Sequence, residues 1–363
     1  MNHKFCIYTF IIVITLSTSI STFGQIQDSE SIRPIRDSIG FCWNAEEMNY
    51  FMKFLSTNNP DVKPIPQKLV AAISVHDDYF YAGNVYYPLY QNIKTKEVVI
   101  FGVTHGSVRK ELGPQSNVLI LDDYPKWQGP YGEVEISPLR EFIKSKLPKD
   151  DFIVSNKAHS IEHSIEALIP FLQYYNRDIK ITPIMVTQMP MEKMGDISNR
   201  LSDIINEYAK SKNLKLGEDI FFLISNDANH YGEDFSNSPY GMNANAHKLA
   251  TENDVRIINQ DLVNKISNEK IYQTAKDILP DSSNKFTPLW CGRYPIIFGL
   301  MTISKVVKVD DNKELFGKLF KYSDTFTEKV LPVKNTSMGL TAVFSYKHWC
   351  GWFTEGFYLN KNN

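Results

Sequence analysis

The sequence predicts an α/β fold with a mainly parallel central sheet covered by helices on both faces. Four short runs rich in β-branched and aromatic residues have the length and apolar content of buried strands. Amphipathic stretches with the helical period lie between them. No Pro-, Gly- or Ser-rich linker follows residue 40, so we expect residues 41–363 to form a single domain.

The chain opens with the pattern of an export signal. A weakly positive start precedes an apolar run over residues 5–20, and small residues lead to a cleavage position near residue 24. We therefore expect a signal peptide (1–24), an N-terminal leader (25–40), and a periplasmic or secreted protein without stable membrane insertion after signal removal. The alternative is that the apolar run remains as an uncleaved N-terminal anchor.

The predicted strands and helices alternate along the rest of the chain. The strands are expected at 69–75, 97–103, 179–186 and 219–225. The helices are expected at 137–147 (with Ser137 as its cap), 161–175 and 191–211. A further helix is expected to begin within “GRYPIIFGL”, with Pro295 in its first turn, where the missing N–H costs little.

Charge and cysteine content restrict the function classes. The net charge is −2 and no long run has one sign, which argues against a nucleic-acid surface. Three cysteines follow the signal: Cys42, Cys291 and Cys350. In an oxidising compartment the odd number leaves one thiol unpaired, and one prediction is a Cys42–Cys350 disulfide with Cys291 free.

Histidines and an aspartate follow three of the predicted strands. “LVAAISV” leads into His76, “EVVIFGV” into His105, and “DIFFLIS” into a loop that holds Asp227 and His230. Ligands bind beyond the carboxyl ends of strands in an open parallel sheet, so we expect these side chains to share a site. The alternative is that each histidine is a capping or solvated loop residue.

Cys291 lies at or just before the start of the last predicted helix. The partial positive charge of a helix N-terminus lowers a thiol pKa and favours the thiolate that binds metals, whereas the alternative is a small buried apolar cysteine. Two histidines and a thiolate suit Fe(II), Cu or Zn and leave coordination positions open. Asp227 and His230 make an acid–base pair in which Asp227 orients His230.

The stretch “HSIEH” (159–163) matches H-x-x-E-H, the inverzincin pattern of zinc peptidases. That interpretation needs His159 and His163 on one helix face beside Glu162. A second interpretation is that Glu162 or His163 hydrogen-bonds a metal ligand from outside the coordination sphere and fixes its orientation. A third is that the helix only packs on the sheet.

Eight blocks in order resemble the MEMO family, whose bacterial members are called AmmeMemoRadiSam system protein B. The blocks are “RDSIGFCW”, “VHDDYFYAGNVYYPLY”, “IFGVTHGS”, “WQGPYGEVEI”, “AHSIEHSIEALIPFL”, “LISNDANHYG”, “CGRYPI” and “MGLTAVFSY”. The fifth parallels the family's H-x-x-E-H-S-x-E-x-x-x-P-F-L helix, which is not its metal site. The last parallels its closing V-G-Y strand.

The resemblance implies a fold related to that of the class III extradiol dioxygenases. It implies that the family's metal ligands fall on His76, His105 and Cys291, and that its additional pocket aspartate and histidine fall on Asp227 and His230. It also implies redox activity with bound metal, for which we expect Fe(II) first, Cu second and Zn as an alternative.

Two departures from the family pattern concern the expected pocket. Asp77 and Asp78 replace the usual Ala-Gly beside the first histidine, and either could supply an oxygen ligand. Cys42 occupies the position of an aromatic residue near the pocket, which competes with the Cys42–Cys350 disulfide.

Three functions are consistent with these patterns. The leading hypothesis is an iron- or copper-dependent redox enzyme that acts on an unknown small substrate or on O2. The second is a non-catalytic module that binds a peptide or small ligand in the same pocket. The third is a zinc hydrolase, in which the ion generates hydroxide near neutral pH.

Overall fold

A computed structural model of the chain describes residues 32–308 and 313–361. The predicted signal peptide and the first part of the predicted leader lie outside the described residues. The fold is α/β, with a large mixed sheet that has a parallel centre and helices on both faces, which confirms the predicted class. Within the described ranges, no helix is both long enough and apolar enough to cross a membrane.

The described residues form twelve strands. They are β1 (Leu69–Ser74), β2 (Glu97–Val103), β3 (Leu119–Leu121), β4 (Lys126–Trp127), β5 (Val134–Ile136), β6 (Phe152–Val154), β7 (Lys180–Val186), β8 (Ile220–Ser225), β9 (His230–Tyr231), β10 (Asn264–Lys265), β11 (Lys313–Asp324) and β12 (Trp349–Lys361).

The same part of the chain forms eleven α-helices. They are α1 (Ala45–Asn58), α2 (Tyr79–Tyr90), α3 (Gly106–Leu112), α4 (Leu139–Lys146), α5 (Asn156–Ile161), α6 (Ile169–Tyr175), α7 (Met191–Ser211), α8 (Ala244–Ile257), α9 (Asn268–Ile278), α10 (Arg293–Lys308) and α11 (Thr325–Glu328).

The order of strands along the sheet is β10-β11-β12-β1-β8-β2-β7-β3-β6. β8 pairs in parallel with β1 on one side and with β2 on the other. The loops that follow β1, β2 and β8 therefore leave the sheet at the same edge, which is where ligands bind in open parallel sheets. β12 pairs antiparallel with both β11 and β1 and so lies inside the sheet.

The central strands are buried on both faces. Alternate side chains enter two apolar layers, so that Ile73 of β1 packs in one layer and its neighbour Ala72 packs in the other. Helices α7 and α10 cover the first layer, and α1, α2 and α6 cover the second. This double cover explains why the central strands are continuous apolar runs in the sequence.

Most predicted elements agree with the structure to within one or two residues. The four predicted strands correspond to β1, β2, β7 and β8, and α7 has the predicted bounds. α10 begins at Arg293, with Pro295 in its first turn. α4 begins at Leu139 with Pro138, not the predicted Ser137, at its N-cap, although the Ser137 Oγ accepts from the backbone N–H of Leu139 at 3.0 Å.

Two predicted elements are wrong. The helix expected at 161–175 is α-helical only in its second part: α5 ends at Ile161, Glu162 is extended, and a 3₁₀ turn at Glu166–Leu168 leads into α6. The closing strand expected at “MGLTAVFSY” is a loop, held where Gly339 N–H bonds to the Ile39 carbonyl and Thr341 N–H bonds to Asp78. The strand itself is β12, which starts further along the chain.

The described end of the leader, residues 32–40, packs against the segment between α5 and α6. The guanidinium of Arg33 is buried against the carboxylate of Glu166 and donates to the Glu162 carbonyl oxygen at 2.7 Å. Glu166 also accepts from the backbone N–H groups of Arg36 and Asp37, at 2.8 and 2.7 Å. A buried ion pair with its remaining acceptors satisfied holds its segment firmly in place.

Candidate metal centre

His76 begins the site, two residues after the end of β1, and only 1% of its surface is exposed. Its Nδ1 lies 2.7 Å from the Oγ of Ser225, whose hydroxyl donates to the Ser164 carbonyl oxygen at 2.6 Å. Because that hydroxyl hydrogen is already used, Nδ1 carries the hydrogen shared with Ser225, and Nε2 keeps its lone pair. Asp227 fixes the backbone by accepting from the His76 N–H at 2.8 Å.

His105 follows β2 and is held by one carboxylate. Its Nδ1 lies 2.7 Å from Oε1 of Glu162, and its backbone N–H donates to Oε2 at 2.9 Å. Burial would raise the pKa of Glu162, but the His105 ring, the His163 ring and these hydrogen bonds hold it well below its usual value. A carboxylate that accepts from Nδ1 leaves Nε2 of His105 as the nitrogen with a free lone pair.

Cys291 is placed by the close approach of the turn before α10 to the end of β8. A Cβ on Gly292 would lie 2.4 Å from the Ser225 carbonyl oxygen, so only glycine allows this approach. Gly292 N–H donates to Oδ1 of Asn226 at 2.9 Å, and Asp227 N–H donates to the Cys291 Sγ at 3.0 Å. The Sγ lies 3.4 Å from Nε2 of His76.

The three predicted ligands come together at the sheet edge. His76, His105 and Cys291 each offer a ligand atom, and these atoms lie within 4.8 Å of one another. Both histidines have Nδ1 occupied by a hydrogen-bond acceptor, so the free lone pairs belong to Nε2. Two imidazoles and a sulfur are a donor set suited to Fe(II), Cu or Zn, and the residues present therefore fit such an ion.

The titratable groups of the site have shifted pKa values because they are buried. Burial, followed by the neighbouring His105, lowers the pKa of His163 and of His230 to about 4, and it lowers that of His76 well below its usual value. Neutral imidazoles are the form that binds metals. Burial and the nearby Asp227 raise the pKa of Cys291, so the predicted lowering by the helix N-terminus is wrong for the protein without metal.

Asp227 and His230 lie beside the triad but not in the predicted relationship. The carboxylate of Asp227 bonds to His76, and its Oδ2 lies 3.4 Å from the His76 Nε2. His230 instead places Nδ1 3.2 Å from the Ala228 carbonyl oxygen. Asp227, His230 and Cys291 form a second group with ligand atoms within 4.8 Å, so the loop contributes to the site although Asp227 does not orient His230.

The “HSIEH” stretch does not form a zinc peptidase site. The chain is extended at Glu162, and the buried His159 turns to the Ile120 carbonyl oxygen, 3.0 Å from its Nε2. His163 lies elsewhere, stacked on the ring of His105 with centroids 4.7 Å apart. Glu162 bonds to His105, as the second interpretation of this stretch requires. The peptidase alternative fails because its two histidines face different surroundings.

Asp77 and Asp78 line the cavity but are held by other groups. Asp77 accepts from the indole N–H of Trp352 at 2.9 Å and from the Asp78 N–H at 2.7 Å. Asp78 accepts from both the N–H and the hydroxyl of Thr341 at 2.8 Å. Neither belongs to a group of candidate metal ligands among the described residues. Burial, and then the neighbouring Asp77, raise the pKa of Asp78 to about 7.

The predicted Cys42–Cys350 disulfide is absent from the described structure, in which both thiols are free. Cys42 is fully buried in the apolar layer with its Sγ directed to the Asn44 carbonyl oxygen, and the neighbouring Phe41 lines the cavity in its place. Cys350 does line the cavity, on β12 opposite His230 of β9. The sequence offered no clear signal for this second pocket thiol.

The triad opens into a cavity of about 650 Å³, within the usual range for a small-molecule site. The sequence patterns do not predict several residues that line the cavity: Arg36, Arg109, Phe235, Arg293 and Thr341. Some signal was available, since Arg109 and Arg293 lie four and two positions after predicted ligands. Phe235 and Thr341 come from loops whose return to the sheet edge has no local pattern.

Comparison with known proteins gives one consistent result. Residues 41–330 match the family model described as Memo-like protein. A MEMO1 family protein of Aquifex aeolicus is 33% identical over 194 residues, which is 52% of this chain and 63% of the relative. One from Pyrobaculum arsenaticum is 29% identical over 46% of this chain and 54% of the relative. One from Saccharolobus islandicus is 28% identical over 64% of this chain and 70% of the relative. The matched region thus spans less than two thirds of the length of each of the first two relatives.

Proposed function

This chain belongs to the Memo-like protein family, and from that premise we propose that it is a metal-dependent redox enzyme whose iron or copper ion is held by His76, His105 and Cys291. Fe(II) is the first choice of metal and Cu the second. The substrate is a small molecule or O2, bound in the cavity beside the triad.

One observation supports this proposal most strongly. Three donors from distant parts of the chain lie within 4.8 Å of one another, and the Nδ1 atoms of both histidines are already engaged. Hydrogen bonds of this type fix the orientation of metal-binding histidines. A packing arrangement without a ligand-binding role would not require two histidines held in this way beside one thiol.

The residues of the chain have separate tasks in this proposal. When bound, iron or copper supplies one-electron redox chemistry and open coordination positions. Glu162 and Ser225 hold the two imidazoles, and burial, which lowers the pKa of His76 well below its usual value, keeps that histidine neutral. His230 has a hydrogen on Nδ1, since its partner there is a carbonyl oxygen, and its pKa of about 4 leaves Nε2 free to accept a proton at neutral pH.

Metal analysis tests the site. The protein is prepared anaerobically without a chelating tag, loaded with Fe(II) or Cu, and assayed for bound metal and for metal-dependent oxygen consumption. We expect one equivalent of metal, lost in a His105→Ala/Cys291→Ser double variant. The matched control is His247→Ala/Cys42→Ser, another histidine–cysteine pair that lies outside the cavity. Full occupancy in the first variant would defeat the site assignment.

The size of the cavity favours a second candidate, a non-catalytic module that binds a peptide or small ligand. The cavity of about 650 Å³ extends past the triad and includes the aromatic side chains of Phe41, Phe235 and Phe344. Ligand binding that survives metal removal, without oxygen consumption, would favour this candidate. Hydrolytic activity of the zinc-loaded protein would favour the third candidate, a zinc hydrolase.

A further inference from the structure

The arginines of the described chain divide into two groups. Eight are present, and four of them pair with a carboxylate. These four are Arg33 with Glu166, Arg140 with Asp122, Arg200 with Asp151, and Arg256 with Asp277. Such pairing is the usual way in which a folded protein neutralises a guanidinium that it holds in place.

The other four, Arg36, Arg109, Arg177 and Arg293, have no carboxylate within ion-pair distance among the described residues, and all except Arg177 line the cavity. Each donates instead to a main-chain carbonyl oxygen. Arg36 Nε donates at 3.2 Å, Arg293 Nη1 donates at 3.1 Å, and Arg109 Nη1 bonds to the carbonyl of Thr104. The Nε of Arg293 is buried and has no hydrogen-bond partner in the described structure.

Within the described structure, the aspartates of the cavity form no ion pair with these arginines, and their oxygens accept hydrogen bonds from backbone and side-chain donors instead. Asp37 accepts from two backbone N–H groups at 2.8 Å. Asp77 is held by Trp352, Asp78 by Thr341, and Asp227 by His76. Three guanidinium groups without an ion-pair partner among the described residues therefore line the cavity.

We propose that the cavity binds a small organic anion, recognised through a carboxylate or phosphate group by Arg293 and Arg109. Arg293 lies two positions after Cys291, and Arg109 lies one helical turn after His105. An anionic group held between them places the rest of the molecule beside the triad. The position of the reacting group rests on the proposed redox function, but the binding of the anion does not.

The two arginines and Arg36 contribute differently. Arg293 is half-buried, so its planar set of donors can bind an anion in partly desolvated surroundings, where charge-assisted hydrogen bonds are strongest. Arg36 and Arg109 are exposed, and their attraction is screened more by salt. A cavity of about 650 Å³ is suited to a small molecule.

Calorimetry with defined probes tests the proposal. Succinate and glycerol 3-phosphate are titrated at low ionic strength into chelator-treated protein and into metal-loaded protein. Succinamide and glycerol serve as their uncharged counterparts. We expect at least one anion to bind and its neutral counterpart to bind at least about tenfold more weakly, as loss of a charge-assisted contact predicts. The preferred anion distinguishes a carboxylate site from a phosphate site.

Variants identify the residues responsible. Arg293→Gln should weaken anion binding by about tenfold or more, and Arg109→Gln should weaken it less and most visibly at low salt. Arg177→Gln is the matched control, since Arg177 also lacks a carboxylate partner but lies against Tyr131 outside the cavity. It should leave anion binding unchanged. If Arg293→Gln does not fold, Arg109→Gln alone carries the test.

The outcomes separate this proposal from the redox function. Anion binding to metal-free protein that depends on Arg293 or Arg109 supports the proposal even if no oxygen is consumed. Redox turnover with anions and neutral molecules bound equally would support the function and overturn the anion site. The proposal is also wrong if neither anion binds better than its counterpart, or if the folded arginine variants bind like the unaltered protein.

Discussion

The Sγ of Cys291 lies 3.4 Å from the Nε2 of His76, although 215 positions separate the two residues in the chain. The contact forms because β1 and β8 are neighbours in the sheet and Gly292 lets the turn before α10 approach the end of β8. The candidate centre is thus a product of strand order, and its properties can be tested one residue at a time.

Glu162→Gln should weaken metal binding by roughly 10- to 100-fold, because it replaces the carboxylate that holds Nδ1 of His105. Competition with a metal-binding dye measures the affinity. Glu166→Gln is the control, since Glu166 is a buried glutamate of the same segment that faces Arg33 instead. We expect that variant to lose stability with a smaller loss of affinity. Equal affinities for both variants would show that Glu162 does not support the ligand.

Cys291→Ser should remove the sulfur-to-metal absorption of the Co(II)-loaded protein, while Cys42→Ala should retain it. The pH dependence gives a second measurement. Burial raises the pKa of Cys291, so the free protein holds a thiol at neutral pH and metal binding must release that proton. The affinity should therefore rise with pH, by about tenfold per unit for one proton, and Cys291→Ser should flatten the rise. An unchanged slope would contradict thiolate binding.

Gly102→Ala should destabilise the protein by about 1–3 kcal/mol and weaken metal binding. Gly102 lies on β2, and an added Cβ would come within 2.4 Å of the side chain of Ile165, in the segment that carries Glu162. Gly195→Ala in α7 is the control, because its Cβ would meet nothing within 4 Å. We expect it to stabilise the helix by about 0.5–1 kcal/mol. Urea unfolding and dye competition give both quantities.

Glu355→Gln should reduce the dependence of stability on pH. Glu355 on β12 is fully buried, and neither of its oxygens has a hydrogen-bond partner in the described structure. Burial raises its pKa well above the usual 4.5, so the folded state binds this proton more tightly than the unfolded state does. Its contribution to stability is therefore complete below about pH 4.5 and declines as pH rises towards the folded-state pKa.

Thermal unfolding of both proteins between pH 5 and 8.5 measures this effect. We expect the Tm of Glu355→Gln, measured relative to the Tm of the unaltered protein, to increase as pH rises. Glu314→Gln, which removes a carboxylate that pairs with Lys265 near the surface, is the control. Parallel curves for Glu355→Gln and the unaltered protein would mean that Glu355 finds a partner in the folded state.

Local patterns in the sequence predicted the parallel centre of the sheet and the residues at its edge. Buried parallel strands are continuous apolar runs, and α7 has a regular amphipathic period, so neither depends on distant partners for its recognition. The helix over 161–175 failed because His105, more than fifty positions earlier, holds the carboxylate of Glu162 where the chain is extended. No local period contains that requirement.

The partners within the site were harder to predict than its members. Asp227 was assigned to His230 because the two share a loop, but neighbouring strands bring it to His76 instead. The disulfide that the sequence suggests as one possibility for Cys350 is absent from the described structure, in which β12 carries Cys350 into the cavity wall. The sequence places Arg109 and Arg293 near the predicted ligands, but the lack of an ion-pair partner among the described residues is a property of the fold.

The position of β12 in the sheet affects when the proposed metal site can form during synthesis. β1 leads into His76, yet one of its two neighbours in the sheet is built from residues 349–361, which the ribosome makes more than fifty residues after Cys291. Until β12 has been synthesised, β1 lacks one of its two neighbouring strands, and the part of the cavity wall that includes Cys350 is absent. We therefore expect the proposed site to reach its final form only after β12 has been synthesised and has paired with β1.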